Sequence, residues 1–339
     1  MKSIITIDRL KRLRDINYCY SWLLQKIGLK TGLPIGKPLG VIIVLTNRCN
    51  AKCFHCNSWK LTKVDELTTV EWKDALLNLR KWLGPVSLSV TGGETFIKKD
   101  FMEIIEYGAG LGFNIELLTN GYAMNQAKAE RLINSGVKRI VISLDGSKAE
   151  IHDKVRGIPG FFDRSTNALK LLAAARESAD KDVAIWSKTV IMSHNQNDFP
   201  NIVSLAKKLR ITGAMFQPIE ATYYSSEQTN RSWFKSSPLW IKDKDLVINN
   251  IDKLIKLKED REPVLNSREN LELFKEYFVD PGKFSGMSHF STKEKKTNKN
   301  QPSFGLQIMP DGQMVTSFDS PSFGNVKDDS LSKSWKNRK

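Results

Sequence analysis

Cysteine is scarce in this 339-residue sequence, which contains only four, and none follows Cys56. Secreted domains held together by disulfides need cysteines paired across loops, so this usage argues against that class and indicates a reducing compartment. Three of the four, Cys49, Cys53 and Cys56, stand instead within eight residues. Thiols crowded onto one short segment are typical of a metal centre.

Long apolar runs are also missing. No stretch approaches the roughly 18 uncharged residues of a membrane-spanning helix. The first residues contain no apolar segment that ends in a small-residue cleavage site. We therefore expect a cytoplasmic protein.

Acidic residues are outnumbered, since 52 Lys and Arg against 37 Asp and Glu give a net charge of +15. This balance leaves open an acidic partner or an ordinary solvated surface, and no motif indicates a specific nucleic acid. Residues 8–27 predict a basic amphipathic helix. Packing against the following domain is favoured for it over peripheral contact with an anionic membrane.

The three clustered cysteines form a CxxxCxxC run directly after the apolar stretch Val41 to Leu45. Thiolates are the soft ligands that iron-sulfur clusters require, and three of them leave the fourth iron of a [4Fe-4S] cluster without a protein ligand. Structural zinc is the alternative, but zinc needs a closed tetrahedral set. The sequence offers only Cys19 as a fourth thiol.

Strand and helix patterns then alternate regularly, which is typical of a parallel α/β fold. The predicted strands are 41–46, 86–91, 114–119, 139–144, 184–192 and 214–219, and predicted helices between them include 69–83, 99–111, 125–135 and 162–178. Six such units predict a partial (β/α)6 TIM-like barrel. In parallel barrels the chemistry lies at the carboxyl ends of the strands, so residues that follow each strand are the functional candidates.

Motifs follow two further predicted strands. Gly92-Gly93-Glu94 follows the second, and Ser143-Leu144-Asp145-Gly146 follows the fourth, with His152 to Gly157 reading HDKVRG shortly afterwards. Together with the cysteine run, these motifs resemble the radical S-adenosylmethionine (SAM) superfamily, in which an aromatic residue usually stands where His55 stands here. The resemblance implies one [4Fe-4S] cluster whose open iron binds SAM. It also implies reductive cleavage of SAM to a 5'-deoxyadenosyl radical that abstracts hydrogen, with a flavodoxin- or ferredoxin-type reductant.

The same resemblance assigns the amino group of SAM to Glu94 and to the adjacent backbone of Gly92 and Gly93. Paired glycines permit positive φ and allow a close approach of the backbone to a ligand. Without the cysteine run, this tripeptide reads as an ordinary turn before a helix.

Four further residues complete the predicted SAM site. Ser143 and Asp145 project to the same side of a strand, where a hydroxyl and a carboxylate can both bind a ribose diol. By resemblance Arg156 binds the SAM carboxylate, and a surface ion pair with Asp153 is the alternative. Lys188, on the fifth strand, is assigned to SAM, with substrate as its alternative partner. No residue is assigned a catalytic role.

The predicted domains are the N-terminal helix and loop at 1–37, the barrel at 38–225, a helical linker with a mobile basic segment at 226–302, and a small α+β extension at 303–339. The extension resembles a SPASM or twitch domain through Pro310-Asp311-Gly312 and the stretch from Gly324 to Trp335. Ser317 stands where that family has a cluster-binding cysteine. Since hydroxyl groups are poor ligands for soft metals, we expect no auxiliary cluster.

Three functions fit these features. The first is a radical SAM enzyme that modifies a peptide or protein. The second applies the same chemistry to an anionic small molecule, sugar nucleotide or lipid. The third is a noncatalytic iron-sulfur or SAM-binding module. The motifs favour the first two over the third.

Overall fold

The computed structural model describes residues 16–284, except 32, 34, 63 and 231, and residues 305–338, except 319 and 329. The start of the predicted N-terminal helix and most of the predicted mobile basic segment lie outside the described residues. All the elements below belong to the described part of the chain.

Six strand-helix units form the body of the molecule, as the alternating pattern predicts. The strands, whose predicted bounds are accurate to within two residues, are β1 (Gly40–Val44), β2 (Ser87–Thr91), β3 (Asn114–Thr119), β4 (Arg139–Ser143), β5 (Ala184–Ile191) and β6 (Gly213–Pro218). The helices up to β6 are α1 (Ile16–Thr31), α2 (Thr69–Leu83), α3 (Phe101–Gly110), α4 (Gln126–Asn134), α5 (Ala149–Arg156), α6 (Phe161–Ala179) and α7 (Asn201–Lys208). After β6 come α8 (Lys244–Glu259), α9 (Arg268–Val279), β7 (Leu306–Ile308), β8 (Gln313–Val315), β9 (Gly324–Asn325) and α10 (Leu331–Asn337).

The six barrel strands lie side by side in chain order and every neighbouring pair is parallel. Burial alternates along β2 and β3, so successive side chains face the helices and the barrel interior in turn. The helix-facing residues, such as Ile43, Val90, Leu117 and Ile142, are fully buried in one large apolar core. Because all six strands run the same way, their carboxyl ends meet at one edge of the sheet.

The predicted C-terminal extension continues the same sheet instead of forming a detached unit. Strand β7 pairs parallel with β1, and β8 and β9 follow as antiparallel neighbours. Leu67 N–H also donates to Pro310 O at 2.7 Å. In α10, the indole N–H of Trp335 donates to Gly36 O at 2.9 Å. The extension therefore covers the β1 edge, which would otherwise expose unpaired backbone groups.

The predicted helical linker also packs on the barrel, at the opposite edge of the sheet. Ala214 in β6 forms a bridge with Val264. Asn266 accepts from Phe216 N–H at 2.8 Å and donates to Phe216 O at 2.9 Å. These bonds satisfy edge groups of β6 and set α9 against the barrel interior.

The apolar stripe of the N-terminal helix does not pack against the barrel as expected. Tyr20, Leu23 and Ile27 are 62 %, 50 % and 40 % exposed, while the small residues Ser21 and Gly28 are buried. The helix also continues to Thr31, beyond its predicted end. Peripheral membrane contact stays a prediction. No helix in the described ranges combines the length and apolarity that a membrane crossing requires.

A capping box begins α2 and links it to the extension. Thr68 and Glu71 exchange the two reciprocal bonds of this motif. Lys327 lies 2.7 Å from Glu71, and its hydrogen bond, together with those from Thr68, lowers the pKa of Glu71 to about 2.

Replacing this carboxylate tests whether the contact stabilises the fold. The pKa of Glu71 is lower in the folded than in the unfolded chain, so its contribution is present above the unfolded pKa and is lost as pH falls toward 2. We expect Glu71→Gln to reduce the free energy of unfolding by roughly 0.5–1 kcal/mol at pH 7. Urea denaturation between pH 7 and pH 2 should show the difference from wild type vanishing at the acid end. The exposed carboxylate of Glu276 in α9 provides the control, since Glu276→Gln should show no such trend.

Candidate functional site

The cysteine loop, residues 49–56, lies at the carboxyl end of β1 and is held against the end of α5. Lys52 N–H donates to Arg156 O at 3.0 Å, and Phe54 N–H donates to Val155 O at 3.1 Å. Gly157 ends α5 with φ 72°, and a Cβ atom there would lie 2.5 Å from Lys52 O. The HDKVRG stretch therefore ends in glycine because the cysteine loop passes too close for any side chain.

The other flank of the loop is held by the segment that follows β6. Cys56 forms a parallel bridge with Tyr223. Asn57 N–H donates to Tyr223 O at 3.1 Å, and Tyr223 N–H donates to His55 O at 3.3 Å. Backbone bonds on both sides thus fix the loop before any metal binds.

Each thiol in the loop has one N–H donor within reach. Ala51 N–H points to Cys49 Sγ at 3.4 Å, and Ser58 N–H points to Cys56 Sγ at 3.5 Å. Arg156 Nη1 lies 3.5 Å from Cys53 Sγ. Burial raises the pKa of Cys49 to about 12, so the free group is a protonated thiol, and binding of a soft metal displaces the proton.

This donor set fits an iron-sulfur cluster. Its three sulfur ligands are placed on one rigid loop, and each accepts an N–H group, an arrangement that tunes such clusters. Within the described ranges, no three His, Cys, Asp or Glu side chains are grouped closely enough to hold a single metal ion.

Arg156 and Asp145 form a buried ion pair beside the cysteines, with 2.6 Å between Nη2 and Oδ2. Burial works to raise the pKa of Asp145, but the charge of Arg156, the two histidines His55 and His152 and a backbone hydrogen bond together outweigh it, and the net direction is downward. The alternative prediction, a surface ion pair between Arg156 and Asp153, is wrong. The carboxylate of Asp153 instead accepts hydrogen bonds from the N–H groups of Gly160 and Phe162, at 2.6 and 2.7 Å. Arg156 therefore links the end of β4 to the cysteine loop.

Glu94 is also buried and its carboxylate is already well occupied. It accepts from Thr119 Oγ1 at 2.5 Å, from Asn120 N–H at 2.8 Å and from Phe96 N–H at 3.1 Å. Burial nevertheless gives a net increase in its pKa. The carboxylate thus joins the ends of β2 and β3, whatever else it binds.

The two glycines before Glu94 have a packing reason. A Cβ atom at Gly92 would lie 2.8 Å from Thr46 O, and one at Gly93 would lie 2.3 Å from Arg48 O. Neither glycine uses the positive φ that the sequence permitted. Here the close approach is to the chain's own backbone, which brings this turn against the start of the cysteine loop.

Comparison with known proteins finds a family whose members resemble the part of the chain that contains this site. A family model described as the radical SAM superfamily matches residues 43–206, which include the cysteine loop, the GGE turn and the buried ion pair. This part of the chain is a radical SAM domain.

Among curated relatives, an AdoMet-dependent heme synthase from Methanosarcina barkeri is 34% identical over 167 residues, which cover 49% of this chain and 46% of the relative. A PqqA peptide cyclase from Rhodopseudomonas palustris is 29% identical over 212 residues, covering 62% and 54%. The matches thus span about half the length of these relatives. A crystal structure of Streptococcus suis SuiB bound to the precursor peptide SuiA has a TM-score of 0.65 at 15% identity, covering 92% of this chain and 68% of that one. The last likeness shows a shared fold.

The radical SAM core also brings Ser143 and Lys188 together, as register partners on β4 and β5. Lys188 lines a cavity of about 270 Å³ inside the barrel, bounded by β3 to β6 and α9. Five of the seven predicted SAM residues lie in the turns that follow β2 and β4 or at the end of α5. Ser143 ends β4, and its register partner Lys188 lies three residues before the end of β5.

Sequence reasoning missed several residues that build this site. Asn120 donates from Nδ2 to Asn50 Oδ1 at 2.8 Å, which ties the end of β3 to the cysteine loop. Tyr223 holds the loop through its backbone. An Asn-Gly pair after a strand, as at Asn120-Gly121, was an available turn signal. No pattern in the sequence indicated that the backbone of Tyr223 would hold the cysteine loop.

The two glycines near the end of α5 allow a matched test of loop docking. Gly157 and Gly160 both have positive φ, at 72° and 76°, but only Gly157 lies against the cysteine loop, and nothing lies within 4 Å of a Cβ atom at Gly160. Each alanine substitution carries a backbone penalty of about 1–2 kcal/mol. We expect only Gly157→Ala to displace the loop and to lower the iron bound per chain after anaerobic reconstitution. Equal iron content in the two variants would contradict this role of Gly157.

Proposed function

We propose that this chain is a radical SAM enzyme that holds one [4Fe-4S] cluster through Cys49, Cys53 and Cys56 and acts on a peptide or protein. The observation that carries the proposal is the fixed cysteine loop, docked between α5 and the segment after β6. When bound, the cluster supplies the electron that cleaves SAM and so provides the radical for hydrogen abstraction. The absence of any cysteine after Cys56 supports a single cluster.

Unpaired buried polar atoms support a SAM site beside the loop. Asn47 Oδ1, His55 Nδ1 and Arg156 Nε are buried and have no hydrogen-bond partner in the described structure. Such atoms are rare in native proteins, so we infer that a bound ligand supplies their hydrogen-bond partners. A ligand rich in donors and acceptors, as SAM is, suits this surrounding.

We assign SAM to the turns around the loop. The backbone of Gly92 and Gly93, with Glu94, faces its amino group, and Ser143 and Asp145 serve the ribose. Because Asp145 and Cys53 occupy the terminal nitrogens of the Arg156 guanidinium, we infer that Nε is the nitrogen left for the SAM carboxylate.

The choice of a peptide substrate rests on the relatives. One curated relative is a PqqA peptide cyclase, and a structural neighbour was crystallised with its precursor peptide. The small barrel cavity with its lysine favours the second candidate, an anionic small molecule. For the reductant we infer an acidic protein of flavodoxin or ferredoxin type, which the net charge of +15 would attract.

The cluster and its chemistry can be tested together on anaerobically reconstituted protein. We expect about four irons and four sulfides per chain, and formation of 5'-deoxyadenosine when SAM and dithionite are added. Cys53→Ala should abolish the product, whereas Cys19→Ala, which changes the one cysteine outside the loop, should leave it at the wild-type level. About eight irons per chain would indicate an auxiliary cluster. Wild-type product no higher than that of Cys53→Ala would instead favour the noncatalytic module.

The substrate class needs a separate measurement. Short peptides encoded beside the gene can be co-expressed with the enzyme and examined by mass spectrometry. A mass change that requires Cys53 would support the peptide proposal. Unchanged peptides, together with conversion of an anionic metabolite, would support the alternative.

A further inference from the structure

The barrel cavity is a partly open space whose lining carries several charges. Its volume is about 270 Å³, just below the roughly 300–1,000 Å³ typical of pockets for drug-sized ligands. It has room for a group about the size of one amino-acid side chain with its adjoining backbone. A large ring system does not fit this space.

Two of the three charged residues that line this cavity, Glu116 and Glu220, already have partners. Arg139 pairs with Glu116 at 2.5 Å and stacks on the ring of Trp186, 3.8 Å from its centroid. Glu220 accepts from the hydroxyl of Tyr223 at 2.9 Å. These contacts hold both side chains in place. Arg139 compensates the charge of Glu116, whereas the hydroxyl of Tyr223 is neutral and leaves the charge of Glu220 uncompensated.

Lys188 is the exception. Within the described ranges its ammonium group has no hydrogen bond or ion pair, and it interacts with Glu116, Glu220 and Asp145 only at longer range. The side chain of Lys188 is half-buried, and a lysine that loses part of its hydration without a direct partner favours an acceptor from outside the chain. Burial also lowers the pKa of Lys188, and the more distant carboxylates do not offset this effect.

The cavity adjoins the cysteine loop through one residue. Glu220 in its wall bonds the side chain of Tyr223, whose backbone bridges Cys56. At the other side Ser143, next to Lys188 in the sheet, ends the strand that leads to Asp145. A group bound at Lys188 therefore lies beside the proposed SAM site, where a hydrogen atom could be abstracted from it.

We propose that Lys188 binds a carboxylate of the substrate, such as the side chain of an acidic residue, and so determines which substrate group enters the barrel. This inference rests on the proposed function and replaces the assignment of Lys188 to SAM. A carboxylate fits better than a phosphate, because Glu116 and Glu220 line the same space and repel a doubly charged group more strongly. Glu220 is in turn placed to accept from an amide N–H or ammonium group of the same substrate.

Binding of matched probes tests this assignment without requiring turnover. The probes are N-acetylglutamate amide and N-acetylglutamine amide, titrated by calorimetry into the anaerobic holoenzyme with SAM present. We expect wild type to prefer the glutamate probe on the order of tenfold, as for a hydrogen bond to a charged group. Lys188→Met should lose the preference, and Lys188→Arg should retain it. Lys170→Met, at an exposed lysine of α6, should behave as wild type.

Two outcomes overturn the inference: equal binding of the two probes by wild type, and a preference that survives in Lys188→Met. Since Lys188→Arg keeps the charge, a loss of preference confined to Lys188→Met cannot be attributed to general damage. A pentapeptide with the same central glutamate distinguishes the source of the carboxylate, because tighter binding than the free probe indicates a peptide and equal binding a small molecule. The measurement does not depend on SAM cleavage. Failure of 5'-deoxyadenosine formation and failure of probe discrimination are therefore separate results.

Discussion

The backbone hydrogen bonds that hold the cysteine loop are the constraint on which the rest of the site depends. A loop that carries three thiols has no regular ladder to satisfy its own N–H and C=O groups, and unsatisfied backbone groups are costly when buried. Here the end of α5 receives one side of the loop and the segment after β6 receives the other. The loop follows β1 and is thereby bound to segments that follow β4 and β6, so the positions of the thiols follow from the fold as a whole.

The polar contacts around the loop form one connected system. Arg156 contacts both Asp145 and Cys53, and Glu94 joins the turns after β2 and β3. Removing one partner of a buried charge pair leaves the other uncompensated, at a cost of about 3–5 kcal/mol. These residues thus have structural roles that exist before any ligand binds, and the proposed SAM contacts are added to them. The same residues can place a ligand accurately because they are already held.

The two edges of the barrel sheet are covered in different ways, and the covering of the β6 edge forms part of the wall of the barrel cavity. Strands β7 to β9 extend the sheet beyond β1, while α9 and Asn266 cover the β6 edge. The charged cavity lies on the β6 side, where Phe274 of α9 contributes to its lining. Segments that looked like appendages in the sequence therefore form part of the barrel's walls.

Strand and helix positions in the barrel and the resemblance to the radical SAM superfamily followed from the sequence alone, and the three clustered cysteines stay the predicted cluster ligands. Those features are local: β-branched runs, glycine turns and the spacing of cysteines report on neighbouring residues, which the sequence displays directly. The tertiary structure alone decided that Arg156 pairs with Asp145 instead of Asp153, that Tyr223 holds the cysteine loop, and that the apolar side of α1 faces solvent. It also decided that Lys188 faces a cavity and has no hydrogen bond or ion pair with the residues that the structure describes. Such facts depend on contacts between residues far apart in the chain, and a single sequence carries no signal for which distant groups will meet.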